Sequence, residues 1–359
     1  MQRPWTQLLF LLGLSFLAGC VTLAPPGAPM QVLVPVLYAT DRNVDEAGDP
    51  GSLYGGHRGP VSMGIATVAL STRKEGESPF ADWSRWEPYT GVAENRNELL
   101  GVAPLDTASF DELVDIKTAA TPGRSVLLYV HGFRRDFDAV ATNMAILAYE
   151  TDLDSVPMIF SWPSSGSVFG YAGDVTNLQW SGAHLREVVK RLLARDSIET
   201  VHLAAHSLGS QGLLEAIVDL SRDDNARLDK LGEVVLASPD VDSELFRRDY
   251  LPTLSSLGLH VTVYATDNDV PLQTSLRVNR YKRLGDARAE IFIADGVETI
   301  VFSDVVTFMN SHDAFLEIGD LQADLHYLLN DGMTAAERPT LEAVATDRGT
   351  YWRAQPYPR

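Results

Sequence analysis

Val201-His202-Leu203-Ala204-Ala205-His206-Ser207-Leu208-Gly209-Ser210 reads as a short apolar strand running into a sharp turn with a serine at its tip. A strand-to-helix elbow holds such a serine in a strained backbone conformation and lifts its hydroxyl clear of the sheet, which requires small residues two positions to either side. Ala205 and Gly209 occupy those positions. Ala205 departs from the Gly-x-Ser-x-Gly pattern by one methyl group, which crowds the turn without forbidding it. A small-x-Ser-x-Gly string also arises by chance, so the reading rests on what surrounds it in the chain.

Working outward, short apolar runs recur with helical patterns between them: Val32 to Ala39, Val61 to Leu70, Val126 to Val130, Met158 to Trp162, Val201 to Ala205, Val234 to Ala237 and Val261 to Ala265. Strands alternating with amphipathic helices imply an α/β fold with a mostly parallel sheet covered by helices on both faces. Leu185, Val188, Val189, Leu192 and Leu193 lie at helical spacing just before the serine strand and form a core-facing stripe. From Gln31 onward the chain shows no internal repeat or charge block, and its length fits a single domain over 31–359. The stretch 74–118, with Trp83 and Trp86, is the least regular part; an excursion over the sheet edge or a cap on the substrate side is expected there.

A serine hydroxyl is a poor nucleophile at neutral pH, so it needs an imidazole to take its proton and a carboxylate to orient that imidazole. In a sheet of this kind the chain order is serine, acid, histidine. Of eight histidines, His57, His184, His202, His206, His260 and His326 are set aside by position, as residues of glycine-rich, helical or strand segments. His312, in the polar turn Asn310-Ser311-His312-Asp313 after the apolar stretch Ile300 to Met309, is the expected base. For the acid, Asp267-Asn268-Asp269-Val270-Pro271 leaves the carboxyl end of a buried strand, where chemistry collects in such sheets. Asp269 is the first candidate, with Asp267, Asp240 and Asp242 as alternatives; each would otherwise read as a turn or helix-cap aspartate.

A tetrahedral intermediate also needs two backbone N–H donors aimed at its oxyanion, each worth about 3 kcal/mol in barrier height. The amide of Leu208, immediately after the serine, is one. The other belongs to the loop after an earlier strand, and Tyr129-Val130-His131-Gly132-Phe133-Arg134 fits. Gly132 lets the backbone turn closely, so the amide of Phe133 is the expected donor, with Arg134 as the alternative. Trp162, after the strand ending in Phe160-Ser161, is read as lining an acyl or leaving-group pocket.

Tyr38-Ala39-Thr40-Asp41-Arg42-Asn43, Tyr129-Val130-His131-Gly132-Phe133, Phe160-Ser161-Trp162-Pro163-Ser164, Ala205-His206-Ser207-Leu208-Gly209, Ala237-Ser238-Pro239-Asp240-Val241-Asp242 and Ser311-His312 together resemble the bacterial alpha/beta-hydrolase family of the esterase/lipase superfamily long known only as a domain of unknown function. The resemblance runs from about Val32 to Phe315. It implies the alpha/beta-hydrolase fold, with Ser207 and His312 at the positions of nucleophile and base and Asp269 at that of the acid. It implies no particular substrate.

The first residues carry a processing signal: Arg3, an apolar run from Leu8 to Leu17, then Ala18-Gly19-Cys20. The run is shorter than the roughly 20 apolar residues that span a bilayer. Leu17-Ala18-Gly19-Cys20 resembles the bacterial lipobox, so a signal over 1–19 and an acylated Cys20 are expected. Cys20 is the only cysteine of 359 residues, which rules out an intramolecular disulfide or a cysteine-built metal site. Residues 20–30, rich in Pro and Ala, would form an extended tether of about 3 Å per residue. Val21, rather than Asp, after the cysteine suggests by resemblance to known lipoproteins the periplasmic face of the outer membrane. A formal net charge of −19 with 45% hydrophobic residues describes a globular acidic chain that does not bind nucleic acid and has no basic cluster for anionic lipid.

The expectation is a membrane-tethered serine hydrolase acting on a small-molecule or lipid-like ester through an acyl-enzyme, with no metal or organic cofactor. A catalytically silent envelope lipoprotein built on the same fold, or a serine peptidase or amidase, are the alternatives.

Overall fold

The computed structural model describes residues 30–45, 53–72, 97–164, 170–266, 281–288, 290–302 and 319–355. β1 (Met30–Val44) and β2 (Tyr54–Thr72) form an antiparallel pair, and β3 (Glu98–Leu105) adds antiparallel to β2 as an edge strand. α1 (Thr107–Ala119) begins at Asp106, whose carboxylate accepts from the amides of Ala108 and Ser109, both at 3.0 Å. This is the bond an N-cap supplies to otherwise unpaired first-turn amides. Then come β4 (Ser125–Val130), α2 (Phe137–Glu150), β5 (Val156–Ser161), α3 (Tyr171–Leu193), β6 (Thr200–His206), α4 (Gly209–Leu220), β7 (Leu231–Ala237) and β8 (Val261–Ala265). A helical run over 243–256 joins the last two strands. β9 (Val297–Val301), a helix over Gly319–Leu329 and the hairpin of β10 (Leu341–Thr346) and β11 (Gly349–Ala354) complete the order.

The eleven strands make one sheet in the order β10-β11-β9-β8-β7-β6-β4-β5-β1-β2-β3. Every pairing from β1 through β5, β4, β6, β7, β8 and β9 to β11 is parallel. β4 lies in the interior of the sheet, between β6 and β5, and is buried at every residue. Its side chains divide by alternation: Val126, Leu128 and Val130 join the apolar layer on one face, Leu127 and Tyr129 that on the other. A strand covered on both faces needs a continuous apolar run, and that run is what the sequence contains. The first layer packs the buried residues of α1, α3 and α4, including the whole stripe from Leu185 to Leu193; the second packs α2 and the helix Gly319–Leu329.

All seven apolar runs of the sequence reading are strands. Four strands were not read from it; one, β9, shares only Ile300 and Val301 with the apolar stretch that precedes His312. β3, within the stretch 74–118, carries Gly101 and Pro104 and no strict alternation, a composition tolerated at a sheet edge; residues 73–96 lie outside the described residues. β10 and β11 are largely exposed and leave no apolar signature. Among the described residues no helix is long and apolar enough to cross a membrane.

Candidate active site

The carboxyl ends of β4, β6 and β7 meet at Ser207. Its φ is +51°, in the left-handed region that L-residues avoid. Two bonds hold it there: the Ser207 amide donates to the carbonyl of Ala237 at 2.9 Å, and its carbonyl accepts from the amide of Asp240 at 3.1 Å. α4 starts two residues later at Gly209. A Cβ at that position would stand 2.3 Å from the carbonyl oxygen of His131 and 2.7 Å from that of Val130, so the glycine is what lets α4 enter against the end of β4. Gly209→Ala is expected to lose about 2 to 3 kcal/mol, the usual scale of overpacking against backbone that cannot yield; urea unfolding measures it, and an unchanged midpoint would contradict the reading. Ala205 fits within β6, buried and paired with Leu236 and Val130.

Strain recurs along the same edge. Arg134 after β4 and Ser238 after β7 also take positive φ, +62° and +41°. Backbone held in sparsely populated regions gathers where function or tight turning demands it.

The turn after β4 packs directly on the elbow: a Cβ on Gly132 would lie 2.9 Å from Cβ of Ser207 and 2.8 Å from Nδ1 of His206. Most polar groups of this turn are engaged. The carbonyl of His131 accepts from Nε1 of Trp162 at 2.8 Å, and the amides of Arg134 and Arg135 donate to Oγ of Ser164 at 2.8 and 3.3 Å. Ser164 Oγ in turn donates to the buried carboxylate of Asp174, 2.5 Å away, in the first turn of α3. Among the described residues the amides of Phe133 and Leu208 have no acceptor in the protein. Arg134, the alternative donor of the sequence reading, has its amide committed to Ser164.

Below this turn lies Arg42, whose side chain the sequence reading left without a role. The β1–β2 register shifts on both sides of it, and such bulges re-aim a side chain. Thr40, Asp41 and Arg42 are consequently all buried. The guanidinium donates from Nε to Oγ of Ser161 at 2.8 Å and from its terminal nitrogens to the carbonyls of Gly55 at 3.2 Å and Arg135 at 2.5 Å. Burial lowers it to about 10, which leaves it charged at neutral pH. Burial, with Arg42 beside it, also holds the imidazole of His131 well below its ordinary range and hence neutral.

Asp240 and Asp242 have other work. Asp240 accepts from Nε of Arg283 at 3.0 Å and from the hydroxyl of Tyr171 at 2.6 Å, and the Tyr171 ring meets Phe133 edge-on at 5.5 Å. Asp242 caps the helical run after β7 by accepting from the amides of Glu244 and Leu245. Asp269, Asp267, His312 and Cys20 lie outside the described residues. Trp162 is fully buried and stacked on His131, with centroids 4.8 Å apart. It packs the interior instead of lining a substrate pocket, because its one polar atom is spent on the backbone of the turn. Ser164, Asp174 and Tyr171 were also not singled out; their partners are remote in sequence, and only Ser164 lay within a family-like segment.

No curated protein matches the sequence. Among solved structures, the chain is similar to an uncharacterized protein from Bacillus cereus ATCC 10987, at 13% identity over 58% of this chain and 60% of that one, with a TM-score of 0.36. It is also similar to a predicted CIB-like hydrolase from Thermoplasma acidophilum, at 8% identity over 84% of this chain and 100% of that one, TM-score 0.35. A third is a lipase-esterase related protein from Clostridium acetobutylicum ATCC 824, at 13% identity over 60% and 96%, TM-score 0.29. The chain thus spans 60% of the length of the Bacillus protein. A family model described as an alpha/beta hydrolase of unknown function (DUF900) matches residues 107–314, more than half of the chain. The chain belongs to this family of alpha/beta hydrolases.

Proposed function

We propose that the protein is a serine hydrolase that cleaves a carboxylic ester or related acyl bond of a small-molecule or lipid-like substrate. The observation that carries the reading is the left-handed backbone of Ser207 between β6 and α4, next to two amides, of Phe133 and Leu208, that have no acceptor among the described residues. A strained serine is costly unless its hydroxyl is needed where the strain puts it.

In this reading Ser207 Oγ attacks the acyl carbon while His312 takes its proton, and Asp269 orients the imidazole and stabilises the cation that forms. The carbonyl oxygen becomes an oxyanion held by the amides of Phe133 and Leu208. Collapse expels the alcohol, which receives the proton from His312 and leaves an acyl-serine. Water, deprotonated by the same imidazole, then releases the acid and restores Ser207. A fluorophosphonate probe should therefore label the protein, with the adduct on the peptide that contains Ser207 by mass spectrometry. A wild-type protein that stays unlabelled and hydrolyses no ester returns the chain to the silent-lipoprotein alternative.

The lipobox-like Leu17-Ala18-Gly19-Cys20 supports attachment of this hydrolase to the bacterial envelope through acylated Cys20, at the outer membrane. Cys20→Ser should move the protein from the membrane fraction to the soluble one; persistence in the membrane contradicts the acyl anchor.

A further inference from the structure

Arg42, His131 and the Gly132–Phe133 peptide stand in a line. Nη2 of Arg42 is 3.4 Å from Nε2 of His131, and Nδ1 of the same ring is 2.7 Å from the carbonyl oxygen of Gly132. That carbonyl belongs to the peptide unit whose other end is the N–H of Phe133. We propose that Arg42 and His131 form a hydrogen-bond relay that polarises this peptide and so strengthens the Phe133 amide as an oxyanion donor. The inference rests on the serine-hydrolase reading and adds to it two positioning residues that act through the amide, without touching substrate.

The chemistry fixes the direction of the relay. Arginine only donates, so the nitrogen it faces must offer a lone pair. Nε2 of His131 is then unprotonated, and the single proton of a neutral ring sits on Nδ1 and goes to Gly132. The carbonyl of Trp162, 3.1 Å from Nε2, is the competing acceptor and would demand the opposite tautomer. The 2.7 Å contact on Nδ1 and the guanidinium beside Nε2 favour the first arrangement.

Three features suit the arrangement to polarisation as well as packing. The guanidinium is fully buried, and its described hydrogen bonds go to neutral groups: a hydroxyl, two carbonyls and the imidazole. The carboxylates of Asp136, Asp41 and Asp174 act on it through space, but none takes a described hydrogen bond from it, and in a low-dielectric interior hydrogen bonds in series strengthen one another. The ring that transmits the effect cannot swing, because it lies at 5° to the plane of Trp162 and that indole is tied back to the carbonyl of His131. Finally, the bulge in β1 that turns Arg42 inward has no evident purpose in the β1–β2 pairing, which it interrupts.

Two measurements test this. Side-chain 15N shifts of His131 in the wild-type protein should show a protonated Nδ1 and an unprotonated Nε2; an Nε2–H tautomer overturns the relay whatever the activity. In turnover of a short p-nitrophenyl ester, Arg42→Gln should lower kcat on the order of tenfold, a partial loss of one oxyanion donor. KM should stay within about twofold, and affinity for a trifluoromethyl ketone, which forms an oxyanion on Ser207, should weaken by the same factor as kcat. Arg42→Lys, which keeps the charge, should recover most of the loss. If Arg42→Gln does not fold, His131→Phe keeps the stack on Trp162 while removing Nδ1, and carries the same expectation. Rates are normalised to the fraction of sites titrated by fluorophosphonate. Normalised rates equal to wild type, or an equal loss in Arg42→Lys and Arg42→Gln, overturn the proposal. An inert wild type would instead sink the serine reading, so the two failures are told apart.

Discussion

Ser207→Ala is expected to lower ester turnover by roughly 10⁴- to 10⁶-fold, the scale seen when a serine nucleophile is removed, and to abolish labelling by fluorophosphonate. The loss should leave stability unchanged, because alanine keeps the Cβ and therefore the strain of the φ at +51°. Ser207→Gly separates the two effects. Glycine adopts the left-handed region without steric penalty, so this variant should be equally inactive yet about 1 kcal/mol more stable than wild type. Matched kinetics and urea melts of the three proteins read the strain directly. Retained turnover in Ser207→Ala would remove the serine from the chemistry, and a Ser207→Gly variant no more stable than Ser207→Ala would show that the turn stores no strain.

The largest change in stability is expected far from Ser207, at Arg338. It is fully buried and donates from Nη1 to the carboxylate of Asp324 at 2.6 Å and from Nη2 to Glu298 at 2.5 Å. Asp324 is itself fully buried and also accepts from Tyr264 at 2.5 Å and Thr340 at 2.6 Å. Burial already raises the Asp324 carboxyl, with Arg338 the main charge opposing that rise. Arg338→Met leaves the carboxylate without its cation and should cost about 3 to 5 kcal/mol, the range for breaking a buried pair from one side. Against a typical total of about 5 to 15 kcal/mol this is a large share. The double variant Arg338→Met, Asp324→Leu should regain only part of the loss: it removes the buried charge of Asp324 but leaves the hydroxyls of Tyr264 and Thr340 without their acceptor and Glu298 without Arg338. Thermal melts decide it: a single variant as stable as wild type, or a double variant worse than the single, would contradict the account.

The contrast between these two regions shows what could be read from the chain. The parallel core was legible because burial on both faces forces continuous apolar runs such as Val126 to Val130, and because the stripe from Leu185 to Leu193 keeps a helical period. The serine elbow was legible because a sharp strand-to-helix turn demands small residues, and the backbone carbonyls of Val130 and His131 against Gly209 explain why. Arg42 was not legible as a buried group. Thr40-Asp41-Arg42-Asn43 reads as polar surface, and what buries it is a bulge together with partners such as Arg135 and Ser161, 93 and 119 residues away. The only signal was the resemblance of Tyr38 to Asn43 to a family segment, which assigned the residue no role. Arg338 escaped for the same reason: a buried ion pair depends on a partner that periodicity cannot name.

The strand order has a consequence for how the chain acquires its structure. β1 is made well before its parallel partner β5, and the bond from Thr40 to the carbonyl of Ser161 spans 121 residues. At roughly 5 to 20 residues per second the partner strand follows on the order of ten seconds later. Until then Val36, Leu37, Tyr38 and Ala39, each almost wholly enclosed in the finished sheet, belong to a hairpin with an open edge. Such an edge is a template for pairing with other chains, so the interval before β5 emerges is the period in which this protein most needs to be kept apart from its own copies.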